Sequence, residues 1–217
     1  MSLYERVREL SRNDNIQVFG PSGSGKTTFC VEVAKDAVRQ GRKVIYLDAE
    51  GNMPDVPEGV EVIYTPRWDE LLNYIRNLPK ADLLIIDSIG MPVLSRYAAA
   101  GMDEKGKMLL QMVTFAWHAK QWCYLNQAPA LITNQPVSSF GKPNTPEEEL
   151  RPFGDKSLFA FKECWRTKIV ESTPHKTVCE VQAWRSRRYG RSKLLFRLTI
   201  TDGGVEVDDL LAKNTQP

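Results

Sequence analysis

The sequence predicts an α/β protein: a mostly parallel sheet flanked by helices, with antiparallel strands at the C-terminal end. Three observations predict it. The stretch Gly20-Pro21-Ser22-Gly23-Ser24-Gly25-Lys26-Thr27 follows a short apolar run, Ile16-Gln17-Val18-Phe19, and precedes Phe29, Val33 and Ala37 at helical spacing. That is the strand–loop–helix order of a parallel crossover unit. Leu83-Leu84-Ile85-Ile86-Asp87 is an uninterrupted apolar run ending in a carboxylate, the pattern of a strand buried on both faces. Beyond residue 151 strand and helix stop alternating, and 164–171, 177–184 and 193–201 read as consecutive antiparallel strands.

Leu3, Val7 and Leu10 stand at helical spacing, so residues 1–14 are expected to hold an amphipathic helix. The helix after the glycine-rich loop runs over about 26–40 and ends at Gly41. Residues 43–48 and 60–64 are expected as strands, separated by a Gly/Pro-rich loop over 51–59. Trp68, Leu71, Leu72 and Ile75 mark a helix that stops before Pro79. The Ala/Gly-rich stretch 98–107 reads as a mobile loop, and a long helix follows with Met108, Met112, Phe115, Ala119 and Trp122 on its core stripe. Residues 128–133 form the next buried strand, 136–151 an irregular loop, and 208–217 a loose tail. With no repeat in evidence, residues 1–217 are expected to form a single domain.

The 217 residues are 42% hydrophobic and 26% charged, ordinary for a soluble globular chain, and the net charge of +2 identifies no partner class. Cys30, Cys123, Cys164 and Cys179 lack metal-type spacing and read as buried thiols in a reducing compartment. No apolar run is long enough to span a membrane, and the charged N-terminus does not resemble a signal peptide. A cytoplasmic location without membrane contact is therefore expected.

The chemistry begins at the loop, which fills every position of the G-x-x-x-x-G-K-T phosphate-binding pattern. Gly20, Gly23 and Gly25 let the backbone curl and turn N–H groups inward as an anion nest. Lys26 is a point charge for the β- and γ-phosphates, and the Thr27 hydroxyl suits Mg²⁺. Pro21, Ser22, Ser24 and Thr28 complete the nucleotide-binding set, and the following helix aims its positive dipole end at the same phosphates. Asp87, at its strand end, suits the second metal position beside Thr27. ATP and Mg²⁺ are the expected ligands.

Two further strand ends deliver Glu50 and Gln135, where open α/β sheets place their ligands. Glu50 suits a general base that activates water, and Gln135 a sensor of the γ-phosphate. From spacing alone each is equally a capping residue.

Four segments in this order, GPSGSGKTTF, YLDAEGN, LLIIDSI and LITNQP, resemble the core ATPase domain of the RecA/RadA recombinase superfamily over about residues 15–207. The resemblance implies a RecA-like phosphate-loop fold, with Glu50 as catalytic glutamate and Gln135 as switch. It makes 95–107 the first DNA-binding loop and the segment after Gln135 the second. The family's helix–hairpin–helix domain and its phenylalanine-containing polymerisation motif are not found, so the chain looks like a core-only paralogue, most like archaeal RadB-type proteins. The loop after Glu50 is short and lacks the arginine that stacks on adenine in the family.

Candidate DNA contacts follow. The first loop offers Arg96, Tyr97, Lys105 and Lys107; the second offers Phe140 and Lys142, opposed by three consecutive glutamates. An ordinary solvated loop is the alternative in each case. A stronger cluster runs from Trp184 to Lys193, where five cations interleave with aromatics at a hairpin tip. There Arg188 and Arg191 suit a DNA backbone. By the resemblance, Arg185 and Arg187 are candidates for acting in trans on a neighbour's ATP.

The expected function is a Mg²⁺-dependent, DNA-stimulated ATPase of homologous recombination and DNA repair. It binds single-stranded DNA and assists a full-length RadA-type recombinase, with a homo-oligomer as an option. The alternatives are an ATP-gated adaptor with negligible turnover, or a RecA-fold ATPase of another pathway, of which KaiC-like signalling proteins are an example.

Overall fold

Five consecutive buried residues, Asn15–Phe19, form β1 in the interior of the sheet, where neither face meets water. The computed structural model describes residues 1–51, 57–137, 150–154 and 159–213. Among these, one sheet holds nine strands. From one edge to the other they are β11 (Gly204–Asp209), β10 (Lys193–Thr201), β9 (Lys176–Arg185), β8 (Glu163–Thr173), β1, β5 (Ala130–Asn134), β4 (Leu83–Asp87), β2 (Val44–Asp48) and β3 (Val60–Tyr64). The six strands from β8 to β3 are mutually parallel; β8 to β11 pair antiparallel. The change falls where the sequence stops supplying crossover helices, since antiparallel neighbours need only short turns.

Helices cover both faces. On one lie α1 (Leu3–Ser11) and α2 (Lys26–Arg39), packing Tyr4, Val7, Phe29 and Val33 against Trp165, Phe196 and Leu198. On the other lie α3 (Trp68–Asn77), α4 (Gly90–Ala99) and α5 (Met102–Asn126), which bury Trp68, Leu71, Phe115 and Trp122 over Leu47, Leu84 and Ile132. Each such side chain is worth about 1.5–3 kcal/mol of transfer free energy, enough to fix which faces meet. α1 is capped by Ser2, whose hydroxyl accepts from the Glu5 amide at 3.2 Å.

Two sequence expectations fail here. The stretch 98–107 is helical: α4 and α5 meet at Ala100-Gly101, and Asp103 and Glu104 occupy the first turn of α5, where the helix dipole favours acids. Residues 208–213 are not a loose tail. β11 runs to Asp209, the four-residue α6 (Leu210–Lys213) follows, Leu211 is buried, and Arg6 of α1 holds Asp209 at 2.5 Å. The signal missed was Asp202-Gly203, a two-residue turn that lets the chain fold back along β10.

Candidate functional site

The phosphate loop is shaped by what cannot fit. A Cβ on Gly20 would stand 2.2 Å from Thr167 Oγ1 of β8, so only glycine permits that approach. Gly23 and Gly25 have φ of +74° and +83°, a region L side chains rarely adopt. Ser24 is spent on structure: its hydroxyl pairs with Thr167 Oγ1 at 2.6 Å and donates to the Pro21 carbonyl at 2.7 Å.

Lys26 starts α2 and is buried. Its ammonium donates to the Gly20 and Pro21 carbonyls, both at 2.8 Å. Burial lowers its pKa, while the nearby Asp87 and Glu50 carboxylates oppose that shift.

Three adjacent strand ends converge on this loop. β2 delivers Glu50 through a turn that Asp48 holds by accepting from the Glu50 and Gly51 amides at 3.0 and 2.7 Å. β4 delivers Asp87 and Ser88, and β5 leads to Gln135. Asp87 is buried with both oxygens engaged: Tyr46 of β2 donates its hydroxyl at 2.7 Å, and Thr133 of β5 donates to the other oxygen. Burial, then the Asp87 charge, pushes the Tyr46 phenol far up, so it remains a donor. Glu50 Oε1 accepts from Ser88 and, at 3.3 Å, from Gln135 Nε2.

A cavity of about 160 Å³ results, lined by Ser22, Gly23, Gly25, Lys26, Thr27, Thr28, Glu50, Asp87 and Gln135. Larger cavities lie elsewhere along α5, but this one gathers an ammonium, two carboxylates and three hydroxyls at a helix N-terminus. Its hydroxyl and carboxylate oxygens fit a hard cation such as Mg²⁺. Among the described residues no three His, Cys, Asp or Glu side chains cluster for a protein-only metal cage. An ion here would depend on nucleotide phosphates for further ligands.

Sequence reasoning missed Tyr46, Ser88 and Thr133. The signal was a phenol and hydroxyls within apolar strands, because buried hydroxyls need partners.

Gln135 is wired to its surroundings. Its carbonyl accepts from the Phe153 amide at 2.9 Å, and the neighbouring Asn134 amide donates to the Phe153 carbonyl at 2.8 Å. These bonds adjoin a short ladder in which β6 (Pro136–Val137) pairs with β7 (Arg151–Pro152). Gly90, at the start of α4, packs so closely that an added Cβ would lie 2.9 Å from Gln135 Cγ.

Of the candidate DNA residues, Phe140 and Lys142 lie outside the described residues. Arg96, Tyr97, Lys105 and Lys107 stand on helices rather than a free loop. Arg96 pairs with Asp69 at 3.1 Å, Lys105 lies 5.2 Å over the Tyr97 ring, that ring packs on Phe153, and Lys107 is exposed.

The basic hairpin occupies the other end of the sheet. Register pairs Gln17 with Cys164 and Cys164 with Arg185, placing Arg185 level with the middle of β1 and the turn after it toward the start of β1, whereas the phosphate loop leaves its end. The turn is built on Glu163, which accepts from the Ser186 hydroxyl and the Arg187 amide at 3.1 Å. Arg187 is exposed, Arg188 faces Glu9 at 3.8 Å, and Arg191 lies over Trp184 at 5.5 Å. Neither Arg185 nor Arg187 lines the phosphate-loop cavity of its own chain.

Fold and site together define a phosphate-loop nucleotide-binding protein of the RecA superfamily. Comparison with known proteins narrows the class. Residues 6–105 match the family model described as IstB-like ATP binding protein. The DNA repair and recombination protein RadB of Methanococcus maripaludis is 33% identical over 213 residues, covering 88% of this chain and 90% of the relative. That of Methanobrevibacter smithii is 30% identical over 148 residues, covering 59% and 62%. A crystal structure of the RadB recombinase superposes with a TM-score of 0.65 at 18% identity, covering 93% of this chain and 96% of that one. The chain belongs to the RadB family.

Proposed function

We propose that this chain is a Mg²⁺-dependent ATPase of recombination and DNA repair, stimulated by single-stranded DNA and assisting a full-length RadA-type recombinase. The observation that carries the reading is the convergence of Lys26, Glu50, Asp87 and Gln135 on one cavity at the phosphate loop. Thr27 and Asp87 would hold Mg²⁺, which supplies charge neutralisation of the phosphates when bound. Tyr46 and Thr133 keep the Asp87 carboxylate oriented. Glu50 accepts a proton from the attacking water, and Lys26 stabilises the charge that develops on the transferring phosphoryl oxygens. The Gln135 amide, released from Glu50 to the γ-phosphate, transmits occupancy through Phe153 and Gly90 to the segments proposed to meet DNA. Names of relatives support the recombination setting, and the buried free thiols Cys30, Cys123, Cys164 and Cys179 support a reducing, cytoplasmic one.

A second reading, an ATP-gated adaptor with negligible turnover, is favoured by the two donors already on Glu50 Oε1. Phosphate release measured with ATP and Mg²⁺, with and without single-stranded DNA, separates the two. Turnover raised by DNA supports the first reading. ATP binding without turnover in either condition supports the adaptor.

A further inference from the structure

A fully buried serine stands directly after Asp87, where β4 ends behind the nucleotide cavity. Ser88 does not line that cavity, and among the described residues its hydroxyl makes one hydrogen bond, donated to Glu50 Oε1. A hydroxyl shut away from water needs an acceptor, and a carboxylate is the strongest kind available to it.

Backbone bonds fix both ends of this contact. The Ala49 amide, one residue before Glu50, donates to the Asp87 carbonyl at 2.7 Å. The Ile89 amide, one residue after Ser88, donates to the Thr133 carbonyl at 3.1 Å. Asp87 itself is held by Tyr46 on one side and Thr133 on the other. The chain at Ser88 is therefore clamped between the ends of β2 and β5, and its hydroxyl has a fixed origin.

Gln135, the second donor to Glu50 Oε1, is different in kind. It is only partly buried and lines the cavity, where a bound phosphate competes for its amide. Both donors fall on one oxygen. Among the described residues Glu50 Oε2 has no hydrogen-bond partner, and Glu50 lines the cavity together with Lys26 and Asp87. A carboxylate turns easily about its last torsion, whose minimum is broad. Once Gln135 lets go, Ser88 is the donor that still holds it.

We propose that Ser88 is a positioning residue for Glu50: its hydroxyl pins Oε1 to the end of β4 and keeps Oε2 for the attacking water after Gln135 has left. Two consecutive residues, Asp87 and Ser88, then register the metal-binding carboxylate and the base against each other. This role rests on the ATPase reading, in which Glu50 takes the proton.

The test compares wild type, Ser88→Ala, Glu50→Gln and the double variant by single-turnover phosphate release, ATP calorimetry and melting curves, with Mg²⁺ and single-stranded DNA present. Ser88→Ala is expected to slow phosphate release about tenfold or more while ATP affinity is retained. In the Glu50→Gln background the same change should cost nothing further, because the group it positions is gone. A crystal structure of Ser88→Ala should show the Glu50 carboxylate turned from its wild-type orientation. The proposal is overturned if Ser88→Ala matches wild-type turnover, or exceeds it, which would make the serine a restraint. It is equally overturned by the same loss in both Glu50 backgrounds, which marks a general structural effect, or by an unmoved carboxylate. A wild-type chain that binds ATP and releases no phosphate fails the ATPase reading itself, and the role falls with it.

Discussion

Gln135 Nε2 donates to Glu50 Oε1 at 3.3 Å, joining residues delivered by β5 and β2, strands that β4 separates in the sheet. Ser88, from the end of β4 between them, donates to the same oxygen. The site is therefore a bridge over three neighbouring strand ends, and a ligand that draws Gln135 away alters the hydrogen bonding of Glu50. That relationship makes Glu50 the most informative residue to change.

Glu50→Gln keeps the shape of the side chain and removes its basicity. ATP affinity is expected to hold, while phosphate release slows by roughly 10²-fold or more. Calorimetry and single-turnover kinetics check the two halves separately. Wild-type turnover matched by the mutant would make Glu50 a capping residue.

Lys26→Ala removes the cation that rests on the Gly20 and Pro21 carbonyls at the cavity. Tight ATP binding in the presence of Mg²⁺ should be lost in calorimetry, and equal affinity would sink the phosphate-loop assignment.

Tyr46→Phe deletes the hydroxyl that donates to Asp87 at 2.7 Å and leaves Thr133 alone to orient the carboxylate. A hydrogen bond to a charged group is worth about 1.5–3 kcal/mol, so ATP affinity at limiting Mg²⁺ should fall by about tenfold or more. Affinity measured in chelator should not change. A loss that persists without metal would show that the phenol supports the loop instead.

Arg185→Ala with Arg187→Ala is expected to lower turnover without weakening ATP binding by the monomer, because neither residue lines the cavity at its own loop. Arg188→Ala with Arg191→Ala should weaken DNA binding uniformly across sequences and reduce the salt slope by about 0.7 per lost single-strand phosphate contact. If turnover, DNA affinity and its salt dependence all stay unchanged, the hairpin is a solvated turn.

Alkaline pH should unfold the protein early. Burial raises the thiols of Cys30, Cys123 and Cys164 above their ordinary value of 9.0, and raises Tyr46 above 10.0. Above about pH 9 the unfolded chain releases these protons while the folded one keeps them, so stability falls as pH rises. Lys26 works in the opposite sense, its lowered value making stability rise toward 10.5, but it is one group against six, since burial also raises Tyr4 and Cys179. Urea midpoints at roughly pH 7 and pH 10 test the slope, and Cys123→Ala should flatten it. A midpoint that rises with pH would contradict the assignment.

The sequence by itself determined the elements and the chemistry of the phosphate loop. Strand 15–19, the loop and α2 are contiguous, and glycine, lysine and threonine at fixed offsets have local physical reasons that no tertiary contact overrides. The place of Asp87 at the end of β4 was legible in the same way, because an apolar run ending in a carboxylate is a local pattern. What sequence left open was whether Glu50 and Gln135 lie near each other and near the phosphate loop, since 85 residues separate them and only the strand order brings them together. The stretch 98–107 was misread for a related reason. Its alanines and glycines are weak local signals, and the packing of α4 and α5 on the sheet outweighs them. β11 too exists through its long pairing with β10, and Tyr46 became part of the site only through adjacency of β2 and β4. Local geometry is written in neighbouring residues; the company a side chain keeps across the sheet is decided by strand order, which the whole chain's burial sets.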